Sequence, residues 1–205
     1  MTDERARRPA RPRRPTPTER HEQRAQSDDP AEVLDAAARL LEARPRSEGE
    51  VRQRLLRLGY QAQLVDDAVA RLLEVGYLDD GAFARSWVES RDRARPRGEH
   101  ALRRELGQRG VDRALIDAVL GERRDEAAAA GAGVAGADQA AAERLLAKKL
   151  ASILREPDPR RRLQRAYALL ARNGFPPDVC AAAARRALAP SEDAEGDGVD
   201  AGDGG

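Results

Sequence analysis

The feature that most limits what this chain can fold into is an internal repeat. The stretch RPRSEGEVRQRLLRLGY, from Arg44, lies over RPRGEHALRRELGQRGV, from Arg95, at an offset of 51 without a gap. Arg44, Pro45 and Arg46 meet Arg95, Pro96 and Arg97. Val51, Arg52, Leu55, Gly59 and Tyr60 meet Leu102, Arg103, Leu106, Gly110 and Val111, and Val65 and Val69 meet Ile116 and Leu120. A weaker third copy lies at LLARNGF. There Leu170, Gly174 and Phe175 take the same places and Cys180 falls where Val65 and Ile116 fall, now at a spacing of 64. A period of this length marks stacked supersecondary units rather than one large core.

Each unit reads as three helices. Val33, Leu34, Ala37, Ala38 and Leu41 recur at helical spacing over about 31–43. A second helix starts at Ser47, which with Glu50 forms a capping-box pattern, and ends at Gly59, where a left-handed residue is expected. A third runs over roughly 62–75 and stops at Gly76. In the second unit Asp79 or Asp80 caps a helix bearing Phe83, Ala84, Trp87 and Val88. In the third, helices fall near 138–155, 159–172 and 176–188, with Asp158 as cap and Pro159 at the first helical position. No segment shows the alternation of a strand. The expected fold is all-α: three tandem three-helix units in an elongated, repeat-like arrangement with disordered tails. The expected boundaries are a first unit over 31–76, a second over 77–122, an Ala/Gly linker over 123–137 and a third unit over 138–189.

Composition closes off several classes. Residues 1–30 carry eight Arg, six acids and five Pro, and residues 190–205 carry six acids and no base; both read as disordered tails. The stretch 31–189 keeps 29 basic and 24 acidic residues, which permits a polyanionic partner without requiring one. No apolar run approaches the roughly 18 residues of a membrane helix, and the arginine-rich start has no apolar segment behind it, so neither a membrane nor a secretory signal is expected. One Cys and two His cannot build a structural zinc site, so no metal is expected. GAGVAG at 131–136 matches a dinucleotide fingerprint in letters only. The preceding ERRDEAAAA is not a strand, so a linker is expected and no cofactor. Cys180 sits at an apolar place of the repeat and reads as a small core residue. We find no catalytic constellation and expect no enzyme.

Two patterns remain. Aromatic residues make up only 3% of the chain, yet Tyr77, Phe83 and Trp87 fall within eleven residues. Phe83 and Trp87, four apart, read as the core of the middle unit. Arg91, Arg93, Arg95 and Arg97 follow, spanning a helix end and the next turn. Arg46 and Arg52 recur as Arg97 and Arg103, so Arg46, Arg52, Arg91, Arg93, Arg95, Arg97 and Arg103 are the candidate partner-binding basic edge.

The stretch GYLDDGAFARSWVESR resembles the signature of the RecX family of recombinase regulators, through Gly76, Tyr77, Leu78, Asp79, Asp80, Phe83, Ala84, Trp87 and Arg91. Arg46, Ser47, Glu50 and Val51 resemble the family's entry to its first repeat. Arg162, Arg165, Leu169, Arg172, Asn173, Gly174 and Phe175 approximate its C-terminal motif. The resemblance implies a cytoplasmic, non-enzymatic regulator without cofactor, a monomer. It would bind RecA and the RecA–single-stranded-DNA filament, touch the single-stranded DNA within it, and inhibit recombinase, ATPase and coprotease activities. Two alternatives remain open: a helical DNA-binding protein acting independently of a recombinase, and a helical scaffold for another protein.

Overall fold

Ten helices form among the described residues, and several start at a residue whose side chain caps the first turn. The structure is a computed structural model and describes residues 16–131 and 136–189. The helices are α1 (Pro17–Ala25), α2 (Pro30–Ala43), α3 (Glu48–Leu58), α4 (Ala62–Glu74), α5 (Asp80–Ala94), α6 (Glu99–Gly107), α7 (Arg113–Ala129), α8 (Gly136–Leu154), α9 (Pro159–Arg172) and α10 (Pro177–Leu188). Asp29, Ser47, Asp112 and Asp158 each accept a hydrogen bond from a backbone N–H in the first turn of the helix they open. Gly59 closes α3 at a φ of 103°, a left-handed conformation that costs glycine little. No strand occurs among the described residues.

Three apolar clusters match three bundles. Val33, Ala37, Val51, Leu55, Val65, Val69 and Leu72 pack α2, α3 and α4 together. Phe83, Ala84, Val88, Leu102, Leu106, Ile116 and Leu120 do the same for α5, α6 and α7. Leu146, Ala166, Leu170, Phe175, Val179 and Cys180 belong to the core of α8, α9 and α10. The positions aligned by the repeat are the fully buried ones: Val51 and Leu102, Leu55 and Leu106, and Leu170 are all at 0% exposure. The chain divides into two compact units, Met1–Asp79 and Asp80–Gly205, so the second and third bundles share one unit.

The structure departs from the sequence reading at the seams. Within the segment expected to be a disordered tail, Pro17–Ala25 is a helix. Thr16 and Glu19 close a reciprocal capping box on it, an arrangement that stabilises a helix start without any core. It lies over the α3–α4 turn, where Arg24 donates to the Leu58 carbonyl and stacks over the Tyr60 ring. Tyr77 and Leu78 were placed in the second unit, yet Leu78 is buried in the first bundle's core. The left-handed Gly76, at φ 74°, turns the chain back so that Tyr77 and Leu78 both donate their N–H to the Leu72 carbonyl. The expected linker is shorter at both ends, since α7 continues through its alanines to Ala129 and α8 begins at Gly136. Residues 132–135 of the GAGVAG stretch, the N-terminal tail through residue 15 and the C-terminal tail from residue 190 lie outside the described residues.

Candidate partner-binding surface

Most of the arginines that recur have work inside the fold. Arg52, on α3, donates to Glu48 on its own helix and, at 2.8 Å, to Asp66 on α4. Arg103, on α6, pairs with Glu99 at 3.0 Å and with Asp117 on α7. All three members are displaced by the repeat spacing of 51, so the unit that recurs is a clamp of acid, arginine and acid that ties two helices together. Arg46 donates from Nε to the Leu40 carbonyl at 3.0 Å, satisfying an acceptor near the end of α2. Arg91 donates to Glu105 at 2.7 Å, and Arg97 reaches the same carboxylate at 3.4 Å and the side-chain oxygen of Asn173, just past the end of α9. Arg93 and Arg95 stand out in solvent. Arg93 has only a long contact of 3.8 Å to Glu89, and Arg95 has no ion-pair partner among the described residues.

The aromatic pair divides between core and surface. Phe83 is buried, and Trp87 stacks on it at 6.2 Å between ring centroids but is only half-buried. Trp87 thus packs against the core of the middle bundle, as expected of it, but is not sealed inside. Its indole N–H needs an acceptor and finds Glu105 at 3.0 Å, while the guanidinium groups of Arg91 and Arg109 lie 4.1 and 3.7 Å from the ring centroid. Of the other motif residues, Tyr77 is 73% exposed and Ala84 fully buried.

The second and third bundles lock through one joint. Gly98 takes the place that Ser47 holds in the first bundle, and it offers α6 no side-chain cap. Asp138, on α8, supplies that cap instead, accepting from the Glu99 N–H at 3.0 Å. The Gly98 N–H donates to the Asn173 carbonyl, and a Cβ on Gly98 would lie 2.2 Å from the Gly174 carbonyl oxygen. Behind the joint, the buried Arg123 donates to Asp92 at 2.8 and 3.0 Å and to Asp138 at 2.8 Å. Burial works against the Arg123 charge, and hydrogen bonds to the two carboxylates more than restore it. Burial also pushes the Glu99 carboxyl up, but Arg124 and Arg103 outweigh that and hold it below its ordinary value.

The positive charge that remains lies elsewhere, in the third bundle. Residues 31–76 carry seven basic and eight acidic residues, and residues 77–122 carry nine of each, whereas 138–189 carry eleven basic against five acidic. Nine of those eleven lie between Arg144 and Arg172, with only Glu156 and Asp158 to oppose them. An open groove of about 690 Å³ between α8 and α9 is lined by Lys149, Arg161, Arg165 and Arg172 together with Glu156. Arg165 pairs with Glu156 at 2.9 Å and Arg161 lies 3.7 Å from Asp158, while Lys149 and Arg172 have no ion pair among the described residues. The Lys148 ammonium donates to the carbonyls of Arg93 and Ala94 at 3.0 and 3.1 Å, which brings the exposed Arg93–Arg95 turn against α8. This cluster does not recur from unit to unit, so the repeat does not reveal it. Net charge counted unit by unit would have found it.

Among the described residues no cluster of His, Cys, Asp and Glu could hold a metal, and no helix is long and apolar enough to cross a membrane. Comparison with known proteins gives three matches in tandem. Residues 34–72 match RecX, first three-helix domain; residues 79–120 match RecX, second three-helix domain; residues 137–183 match RecX, third three-helix domain. The chain belongs to the RecX family. A Regulatory protein RecX of Streptomyces coelicolor is 34% identical over 161 residues, spanning 78% of this chain and 80% of that one. A Regulatory protein RecX of Mycobacterium avium is 36% identical over 138 residues, 67% of this chain and 73% of the relative. The crystal structure of RecX from Lactobacillus salivarius shares the fold at a TM-score of 0.64 and 19% identity, covering 78% of this chain and 97% of that one. The three RecX domains fall on the three bundles in order.

Proposed function

We propose that this RecX-family chain is a cytoplasmic regulator, acting as a monomer, that binds RecA and the RecA–single-stranded-DNA filament and inhibits its recombinase, ATPase and coprotease activities. The observation that carries the reading is the match of all three bundles, in chain order, to the three domains of a family whose relatives are named as regulatory proteins. The charge distribution supports it, since a third bundle with a large excess of base suits an anionic assembly. Of the candidate edge arginines, Arg93 and Arg95 are the exposed pair, and they adjoin that bundle through Lys148. A filament repeats its binding site, so weak contacts by separate bundles would add through effective concentration.

The test is RecA ATP hydrolysis on single-stranded DNA, titrated with the purified chain. Inhibition should be reached well below one molecule per RecA protomer, because a few copies lodged along a filament block its growth. Undiminished hydrolysis at equimolar protein overturns the reading.

A further inference from the structure

The third bundle lacks the acids that satisfy cations in the other two. Where those hold the clamps Glu48, Arg52 and Asp66, and Glu99, Arg103 and Asp117, the third holds Leu163, Tyr167 and Ala181. Residues 138–189 keep eleven basic and five acidic residues, a surplus of six bases. Along the groove between α8 and α9, Lys149 and Arg172 have no ion pair among the described residues, and Arg161 has only a long contact of 3.7 Å to Asp158. The opposite charge stands next in the chain. Residues 190–205, directly after α10, carry six acids and no base. Glycine and alanine separate most of these acids, and no apolar side chain among them is larger than a single valine.

We propose that the acidic segment 190–205 docks, within its own molecule, on the cationic groove between α8 and α9, and competes there with any external polyanion. The charges match in sign and number, six carboxylates against a surplus of six bases. The starting point is close. The helix that leads into the segment, α10, packs against both groove helices, and its last residue, Leu188, lies on the same core cluster as Leu169 of the groove wall. Reach does not limit the contact. Residues 190–205 span about 55 Å at full stretch, against about 21 Å for the length of α9. A single exposed ion pair is weak, but a tether of this length holds the carboxylates at a millimolar effective concentration. The other docking sites on the molecule suit the segment poorly. The open apolar groove around Leu34, Leu41 and Val75 of the first bundle asks for large apolar side chains, which the segment lacks, and the first two bundles carry no surplus of base. The proposal goes beyond the RecA reading and does not rest on it.

The first test treats the dilute full chain with a zero-length carbodiimide, which joins a carboxylate to an amine in contact with it, and maps the products by peptide mass spectrometry. Lys148 and Lys149 are the only lysines of the chain. At about 10 mM ionic strength, where charges act over about 30 Å, Lys149 should be joined to acids of 190–205. At about 1 M, where they act over about 3 Å, that product should vanish. Its absence at low salt overturns the proposal. So does joining of these acids to the Met1 amine in its place, or a product that links a heavy-isotope copy of the chain to a light one. The second test follows fluorescein-labelled inorganic polyphosphate by anisotropy at about 0.15 M salt, where the screening length is about 8 Å. Neutralising the segment with Glu192→Gln/Asp193→Asn/Glu195→Gln/Asp197→Asn/Asp200→Asn/Asp203→Asn should tighten binding about fivefold, because a tethered competitor is removed. The comparison variant Glu42→Gln/Asp67→Asn/Glu74→Gln/Glu89→Gln/Asp125→Asn/Glu126→Gln neutralises six exposed acids of the first two bundles and should gain far less. Equal gains would reduce the effect to net charge and overturn the proposal. Adding Lys149→Gln/Arg161→Gln/Arg172→Gln to the neutralised segment should abolish the gain, and a gain that survives puts the segment elsewhere and overturns it too. RecA is absent from both tests, so this proposal and the RecA reading can each fail alone.

Discussion

A tryptophan with an acceptor at its N–H and cations over its ring has a narrower role than its size suggests. Trp87 covers Phe83 but stays half in solvent, held by Glu105, Arg91 and Arg109. Full burial of a large aromatic makes its truncation cost about 3–5 kcal/mol. Trp87→Ala should therefore cost less, about 2 kcal/mol, because part of the ring already faces water and Phe83 keeps the core closed. Urea denaturation measures the difference. Acrylamide should also quench the emission of this lone tryptophan, which a sealed core would prevent. A cost of 4 kcal/mol or more, with no quenching, would restore Trp87 to the core.

Helix ends are where the elements of this protein differ most from one another. Ser47 caps α3 from within the chain, whereas the equivalent Gly98 leaves the cap of α6 to Asp138 of another bundle. Judged by capping preference alone, Gly98→Ser should be neutral or slightly stabilising. The close approach of Gly174 reverses that. A Cβ 2.2 Å from a backbone carbonyl must push α6 from the turn between α9 and α10, and the variant should lose about 3 kcal/mol, the upper range for overpacking. Ser47→Gly, the reciprocal change, should cost only a few tenths of a kcal/mol. Denaturant midpoints of the two variants measure both. A neutral Gly98→Ser would mean that the start of α6 does not meet that turn.

Charge pairing gives the whole molecule its response to acid. The Glu99 carboxyl is held low by Arg124 and Arg103 against its own burial, and Asp117 is held low by its hydrogen bond from Arg103. A depressed carboxyl contributes stability that is complete above its unfolded value, about 4.3 for Glu and about 3.9 for Asp, and is lost as pH falls through the folded value. Stability should be flat between neutrality and about pH 5 and fall below that. Glu99→Gln should lower the plateau and make the acid fall shallower, since one proton fewer is taken up on unfolding. Thermal melts from pH 7 down to pH 3 read both features. An unchanged acid slope would mean that the pairing of Glu99 does not couple to folding.

The sequence by itself determined the helices of the three bundles and their cores. A burial pattern with helical period, a capping residue before it and a glycine after it are local properties, so Val51, Leu55, Gly59 and their counterparts could be read from one strip of chain. The repeat then placed Leu102, Leu106 and Leu170 without any knowledge of contacts. What the tertiary structure alone decided is which charges are already satisfied. Arg52 and Arg103 recur as a binding edge would, but their carboxylate partners on the next helix, 14 residues away, hold them at the surface as clamps between helices. Tyr77 and Leu78 belong to the first bundle because a left-handed glycine folds them back, and the Glu99 N–H that opens α6 is capped from 39 residues on. Side-chain identity fixes what an arginine can pair with, but only the packing of helices fixes what lies within reach. The surplus of charge on α8 and α9 could be counted in the sequence, yet the groove that gathers Lys149 with Arg161, Arg165 and Arg172 forms only when the two helices pack.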